Sequence, residues 1–279
     1  MFRKAFLPVF IILFILSGCT LEQKLAKSYV KANPADTFFV LRPEFLFKTN
    51  LKAYEVEDSA GLSEEEQASL LFEKSLFLKD ISDSLMISEF VGGLTSRLKK
   101  YGAVVMLENA VDSVLVNGGH PVVFNIAQFT LEEFLHPYSA EQVVYDEVLV
   151  IDGFDVNAIN YNIWIELSMM NTERKNKVLF TSDYLTDDVD GMFRQNLFTG
   201  KVIFDFTIDT ITISRTYEFA RQFGERSAAL VFDYLMNTYV LENLPEGYPY
   251  DPYYYHYDPE KKILYTIGEE DRIMILEDN

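Results

Sequence analysis

The sequence predicts an α+β fold: a mixed, mainly antiparallel sheet with one helix near 84–101 and a long C-terminal helix near 216–240 packed on it. Three observations point there. Apolar residues recur at helical spacing in two long stretches, strand-like runs fill residues 111–213 between them, and 49% hydrophobic with 15% aromatic positions in 279 residues suffice for a real core.

The first 18 residues read as an export signal rather than as part of that fold. Arg3 and Lys4 precede an apolar run from Phe6 to Leu16, broken by Pro8, and Leu16-Ser17-Gly18-Cys19 follows. A basic start, an apolar stretch too short to span with margin and small residues before a cut describe a signal peptide. Leu16-Ser17-Gly18-Cys19 resembles the bacterial lipobox. The resemblance implies cleavage before Cys19, which then carries a thioether-linked diacylglycerol and usually an N-acyl chain such as palmitate. Two or more chains give lasting attachment where one binds reversibly. In the sorting rule of well-studied Gram-negative lipoproteins, Thr20 in place of Asp implies the outer membrane, with the body facing the periplasm.

Residues 19–36 read as a tether, with Glu22–Asn33 polar-leaning or a short helix ending at Pro34, and residues 37–246 as the main domain. Thr37–Phe47 is dense in residues that suit a pleated surface, and Pro43 places that strand at an edge or bulge. Ser63 and Glu66 have capping-box spacing and predict a helix from there to about Lys79. Ile87, Val91, Leu94, Leu98 and Tyr101 define one helical face over Ser84–Tyr101. Arg97, Lys99 and Lys100 complement the dipole in its last turn, and Gly102 ends it. Ala103–Leu107 follows as a short strand.

Between Val111 and Ile213 the helical period disappears. Val114–Val116 leads into the turn Asn117-Gly118-Gly119, and Pro121–Phe129, Tyr145–Ile151, Asn160–Met169 and Val178–Leu185 read as strands. Asp152-Gly153-Phe154-Asp155 and the polar stretch Asn171–Lys177 read as turns. Val202, Phe204, Phe206 and Ile208 alternate with polar or small residues, as one buried strand face requires. Phe219, Phe223, Leu230, Val231, Tyr234 and Leu235 then make the broad stripe of a helix from Thr216 to Tyr239, closed by Pro245 and Gly247.

Residues 247–279 form a Tyr/Pro-rich extension. Pro249, Pro252 and Pro259 argue against regular structure in its first half, and Ile263–Ile267 with Ile273–Leu276 predict a small hairpin. Tyrosine offers large contact area at small entropic cost. Tyr250, Tyr253, Tyr254, Tyr255 and Tyr257 are therefore candidate ligand-binding residues, the competing reading being a strap across the body.

Composition excludes several functions. With 43 acidic against 24 basic residues the net charge is −19, which opposes both nucleic-acid phosphates and adsorption to anionic lipid through a basic patch. Cys19 is the only cysteine, so there is no internal disulfide and no cysteine-built zinc site. His120, His136 and His256 are scattered without metal-ligand spacing and read as surface or turn residues. Asp188, Asp190 and Gly191 match three positions of a calcium loop, but Thr186 and Leu197 fall at positions one and twelve, so a solvated turn before a hairpin is the reading taken. No cofactor or metal is implied. Asp58-Ser59-Ala60, Asp83-Ser84-Leu85, Asp112-Ser113-Val114 and Asp209-Thr210-Ile211 resemble the acceptor of one bacterial periplasmic O-glycosylation system.

Behind the lipobox, Phe38–Pro43 sits as an opening strand and Asp83–Leu107 as a helix followed by a strand. That order resembles small α/β envelope lipoproteins: the auxiliary lipoproteins of envelope ABC transporters, the lipopolysaccharide-assembly lipoprotein and the curli-secretion lipoprotein with its TolB-N-like relatives. The resemblance implies a non-enzymatic, lipid-anchored accessory or structural subunit of a transport or assembly complex, with protein partners in the envelope. The alternatives are a lipoprotein that binds glycan, peptide or a cationic ligand through its tyrosine tail, and a hydrolase built on two carboxylates.

Overall fold

The computed structural model describes residues 20–32, 37–52, 62–107, 121–144, 147–169 and 176–276. Among them are four helices and a mixed, mostly antiparallel sheet of seven strands, with the long C-terminal helix packed on it: an α+β fold. Cys19, the turn at Asn117–Gly119 and most of Asn171–Lys177 lie outside the described residues.

Where a tether or short helix was expected, α1 (Leu21–Ala32) is a docked helix with Glu22, Ala26 and Tyr29 buried. The strand expected over Thr37–Phe47 divides into β1 (Thr37–Leu41) and β2 (Phe47–Asn50). Pro43, with no amide proton to donate, falls in the break. Helix α2 (Glu64–Glu73) carries the expected capping box but stops short of Lys79. None of its residues is buried, so nothing prolongs it, and the chain turns inward through a 3₁₀ turn at Leu78–Asp80 that buries Leu78. Helix α3 (Asp83–Lys100) follows its sequence signals, and Gly102 at φ 88° makes the left-handed turn into β3 (Val104–Leu107).

Pro121–Phe129, Tyr145–Ile151 and Asn160–Met169 are not separate strands. They belong to one hairpin of β4 (Val122–Val144) and β5 (Glu147–Met169), paired almost throughout with register shifts at Ile126/Gln128 and Tyr138/Ala140. At 23 residues each, these strands run for about 75 Å. Asp152-Gly153 makes no turn because β5 continues through it. A Cβ at Gly153 would lie 2.8 Å from the Tyr138 carbonyl oxygen, so glycine there permits close strand approach. Pro137 is tolerated because, past Glu133, β4 has a described neighbour on one side only.

β1 and β2 both lie parallel along one edge of β4, and β6 (Lys177–Thr186) runs antiparallel to β5. The sequence turn at Asp187–Gly191 proves to be the start of β7 (Asp188–Gln195), which pairs with β8 (Val202–Asp209) in a separate hairpin. Helix α4 (Ile213–Asn243) is longer at both ends than its apolar stripe predicts, its start capped by Thr212 Oγ1 accepting from Arg215 N.

The tail is also more regular than its prolines suggest. Pro252 and Pro259 flank β9 (Tyr255–Asp258) without interrupting it, so no ladder amide is lost. The hairpin expected between Ile263–Ile267 and Ile273–Leu276 is not formed: β10 (Ile263–Thr266) pairs with β9. β11 (Met274–Leu276) instead joins the main sheet beside β6, giving the order β11-β6-β5-β4-β1-β3.

The core lies between this sheet and α3 and α4. Phe90, Phe129, Tyr161 and Phe223 meet there, all essentially inaccessible, with Phe90 and Phe129 ring centroids 5.0 Å apart. The Tyr161 hydroxyl donates to the Thr216 carbonyl at 3.0 Å, and burial pushes its phenol well above the ordinary range. The helices touch backbone to backbone: a Cβ at Gly93 would fall 2.0 Å from Arg221 O, and one at Gly224 2.1 Å from Phe90 O.

Candidate functional site

Two polar assemblies and one exposed loop stand out, distributed along α4. The first assembly is the tail's attachment to the last turns of that helix. Asn237 Nδ2 donates to the Tyr255 carbonyl at 2.8 Å and its Oδ1 accepts from Tyr255 N at 2.8 Å, a reciprocal pair that extends a helix side chain into the strand. One turn earlier Asp233, fully buried, binds His256 Nδ1 through one carboxylate oxygen and accepts from Tyr257 N at 3.1 Å through the other. Burial pushes the Asp233 carboxyl above its usual value, opposed by the hydrogen bond and charge of His256.

The same strap reaches the N-terminus. Thr20 caps α1, its Oγ1 accepting from Gln23 N at 3.2 Å, and that oxygen lies 3.1 Å from the Tyr255 hydroxyl. Buried Glu22 accepts from Tyr248 at 3.0 Å and from Tyr255 at 3.5 Å. Of the candidate tyrosines, Tyr255 is thus buried in this clasp. Tyr257 packs against the stacked pair of Tyr101 and Phe232, with ring centroids 6.2 Å from each, and Tyr254 lies under the Arg272 guanidinium at 4.8 Å. Tyr250 and Tyr253 alone of the five face outward, 72% and 61% exposed.

The second assembly sits beside the start of α4, where β2, β4, β5 and β6 end their shared pairing. The carboxylate of Glu133, 0% exposed, takes the Lys52 ammonium at 2.9 Å and the backbone amides of Leu76, Phe77 and Leu78 at 2.9–3.4 Å. Lys52 also donates to Asn157 Oδ1 at 2.8 Å, and Asn157 Nδ2 donates to Asp187 at 2.8 Å. Asp187 then accepts from Ile211 N at 2.8 Å. Buried charge is tolerated when paired and fully hydrogen-bonded, as it is here. Of these residues the sequence marks only Asp187, as the first of the Asp187–Gly191 solvated turn, and the structure buries it instead because Asn157 and Ile211 N hydrogen-bond its carboxylate. A signal existed: Phe129, Leu131 and Glu133 share one strand parity, which puts Glu133 on the buried face.

Beyond this junction the two hairpins continue as an arm. They meet through aromatic rings: Phe154 stacks on Phe206 with centroids 4.3 Å apart and planes 12° apart, and Tyr138 lies 6.4 Å from Phe204, which within its own hairpin lies 5.1 Å from Phe193. The β7–β8 loop ends the second hairpin. Asn196 Oδ1 accepts from Phe198 N at 2.9 Å and Thr199 N at 3.1 Å, Asn196 N donates to Lys201 O at 2.9 Å, and Gly200 adopts φ 69°. This tied turn holds Leu197 and Phe198 outward at 92% and 100% exposure. An open cleft of about 520 Å³ between Arg42, Pro43, Glu44, Ser84 and Ile87 lies elsewhere, near the start of α3.

Among the described residues no three His, Cys, Asp or Glu side chains converge as a metal site, and no helix is long and apolar enough to cross a membrane. The carboxylates of Glu133, Asp187 and Asp233 are each engaged by backbone amides and by a side chain of the fold. Ser84 and Thr210 of the glycosylation-like triplets are exposed, while the triplets at Asp58 and Asp112 lie outside the described residues. No protein-family model matches the chain, and comparison with curated proteins gives no significant match.

Proposed function

We propose that this chain is a lipid-anchored envelope protein, attached to the outer membrane through Cys19 and facing the periplasm, that serves as a non-enzymatic accessory or structural subunit of a transport or assembly complex. One observation carries the reading: the N-terminal clasp and the root of the hairpin arm lie toward opposite ends of α4. The residue after Cys19 is clasped beside the last turns of α4, and the hairpin arm with its apolar loop leaves from the first turn. Asn237 lies 24 residues after Ile213 in α4, about 36 Å of rise, so the arm's root stands roughly that far from the attachment point. A preorganised loop that keeps a phenylalanine wholly in water is costly for an isolated body and suits insertion into a partner's apolar pocket.

The test places a photo-crosslinking amino acid at position 198 in native membranes, with the same residue at exposed position 99 on α3 as control. A discrete protein adduct from 198, absent from 99, is expected, and Leu197→Ser beside the crosslinker weakens it while membrane attachment persists. A chain that gives no adduct from 198 and leaves detergent extracts as a lone monomer refutes the reading.

A further inference from the structure

The first helix has a charge pattern opposite to that of the whole chain. In α1, Glu22, Ala26 and Tyr29 are buried, while Lys24, Lys27 and Lys31 are exposed. At 100° per residue the three lysines fall within about 60° of arc, on the side opposite the buried three. The only acidic residue of the helix, Glu22, is turned inward beneath Tyr248 and Tyr255. Leu21, 40% exposed, borders the lysine stripe at its start. Tyr250 and Tyr253, each two residues from a tyrosine that binds Thr20 or Glu22, are exposed at the same end of the molecule, so Leu21, Lys24 and these two tyrosines border the N-terminal end of α1 from its two sides.

We infer that this surface is a foot that seats the protein on the bilayer carrying the lipid of Cys19. The inference rests on the acylation proposed above and adds to it a second contact. Thr20 follows Cys19 directly and is fixed to Tyr255, so no slack separates the acylated residue from the body. The occupant of the surface next to it is therefore the headgroup layer. Tyrosine rings concentrate at that depth, and lysines there meet anionic headgroups. The clasp converts a mobile lipid leash into a fixed stance. It holds the N-terminal end of α1 at the membrane and α4 in one orientation, which keeps the root of the arm, at the other end of α4, away from the surface. The strongly acidic remainder is kept off the anionic surface by the same stance.

The test uses the full chain purified from its native host and mixed with vesicles of phosphatidylcholine and phosphatidylglycerol, with the mass of its first residue recorded. In a Trp164→Phe background, one variant carries Tyr253→Trp and another Phe198→Trp. Tryptophan emission at 253 is expected to shift to the blue, to be quenched by lipids spin-labelled near the headgroup, and to lose part of that quenching in Lys24→Gln/Lys27→Gln/Lys31→Gln; emission at 198 stays that of water. A chain that sediments with vesicles while emission at 253 matches that at 198 overturns the foot and leaves acylation standing. A chain that stays in the supernatant with an unmodified Cys19 overturns both.

Discussion

Lys52 shows how much depends on one charge. Its side chain is 1% exposed and bonds Glu133 and Asn157, members of the chain of contacts that ties four strands, the Leu76–Leu78 segment and the approach to α4. Replacing it with methionine keeps the volume but leaves a buried carboxylate with amide donors and no cation. Lys52→Met should cost about 3–5 kcal/mol in urea unfolding, the range for breaking a buried pair. A loss no larger than that of an exposed lysine such as Lys99 would show the junction to be dispensable. Sequence reasoning missed this residue for a physical reason: a lysine after Leu51 in a polar stretch looks solvated, and only the folded register brings Glu133 over it. Asp233 and Asn237 were partly legible, because they fall at i and i+4 on the apolar stripe of a helix whose burial was evident. His256 read as a surface residue and is half-buried instead, since its partner comes from α4, 23 positions away.

At the level of elements, those with local signals were readable and those stabilised from afar were not. Helix α3 carries its stripe, its terminal cations and its glycine stop within one segment. The outer parts of β4 and β5 lack such cues. Their pairing is set by each other, and Pro137 and Gly153 imitate loop punctuation. Helix α2 is the clearest local case: none of its residues is buried, Asn50 Nδ2 and the half-buried Phe72 tie its last turn to the body, and its capping box fastens its start. Ser63 N and Oγ each donate to Glu66 at 2.9 Å, which holds the Glu66 carboxyl below its usual value. A lowered folded value means a contribution that is present above the ordinary glutamate range and lost as pH falls through the folded value. Amides of Glu64–Glu73 should therefore lose hydrogen-exchange protection as pH falls below 4.5, while α3 keeps its own. Equal protection across that window, or the same loss in Glu66→Gln, would disprove the role of the carboxylate.

Taken whole, the molecule is closed by its tail. Residues 247–276 supply an edge strand to the sheet, a partner strand for itself and the bonds to Asp233, Asn237 and Glu22. Deleting 247–279 should leave Asp233 and Asn237 facing lost partners and set α1 loose. A lower melting temperature and rapid proteolysis near residues 20–32 are the expected readouts, and an unchanged melting curve would mean the tail only decorates the surface. The candidate site was legible in the same proportion: the tyrosines marked the right segment, but their division into three inward and two outward residues follows from β9 pairing, which no local pattern announced.

The bond between Thr20 and Tyr255 joins positions 235 residues apart. A ribosome delivers Tyr255 long after Thr20, so the first helix must wait, its underside bare, while the strands and helices between them are made. Sealing then waits on the tail, and a chain stalled or clipped before residue 255 would present an open seam for quality-control proteases to find.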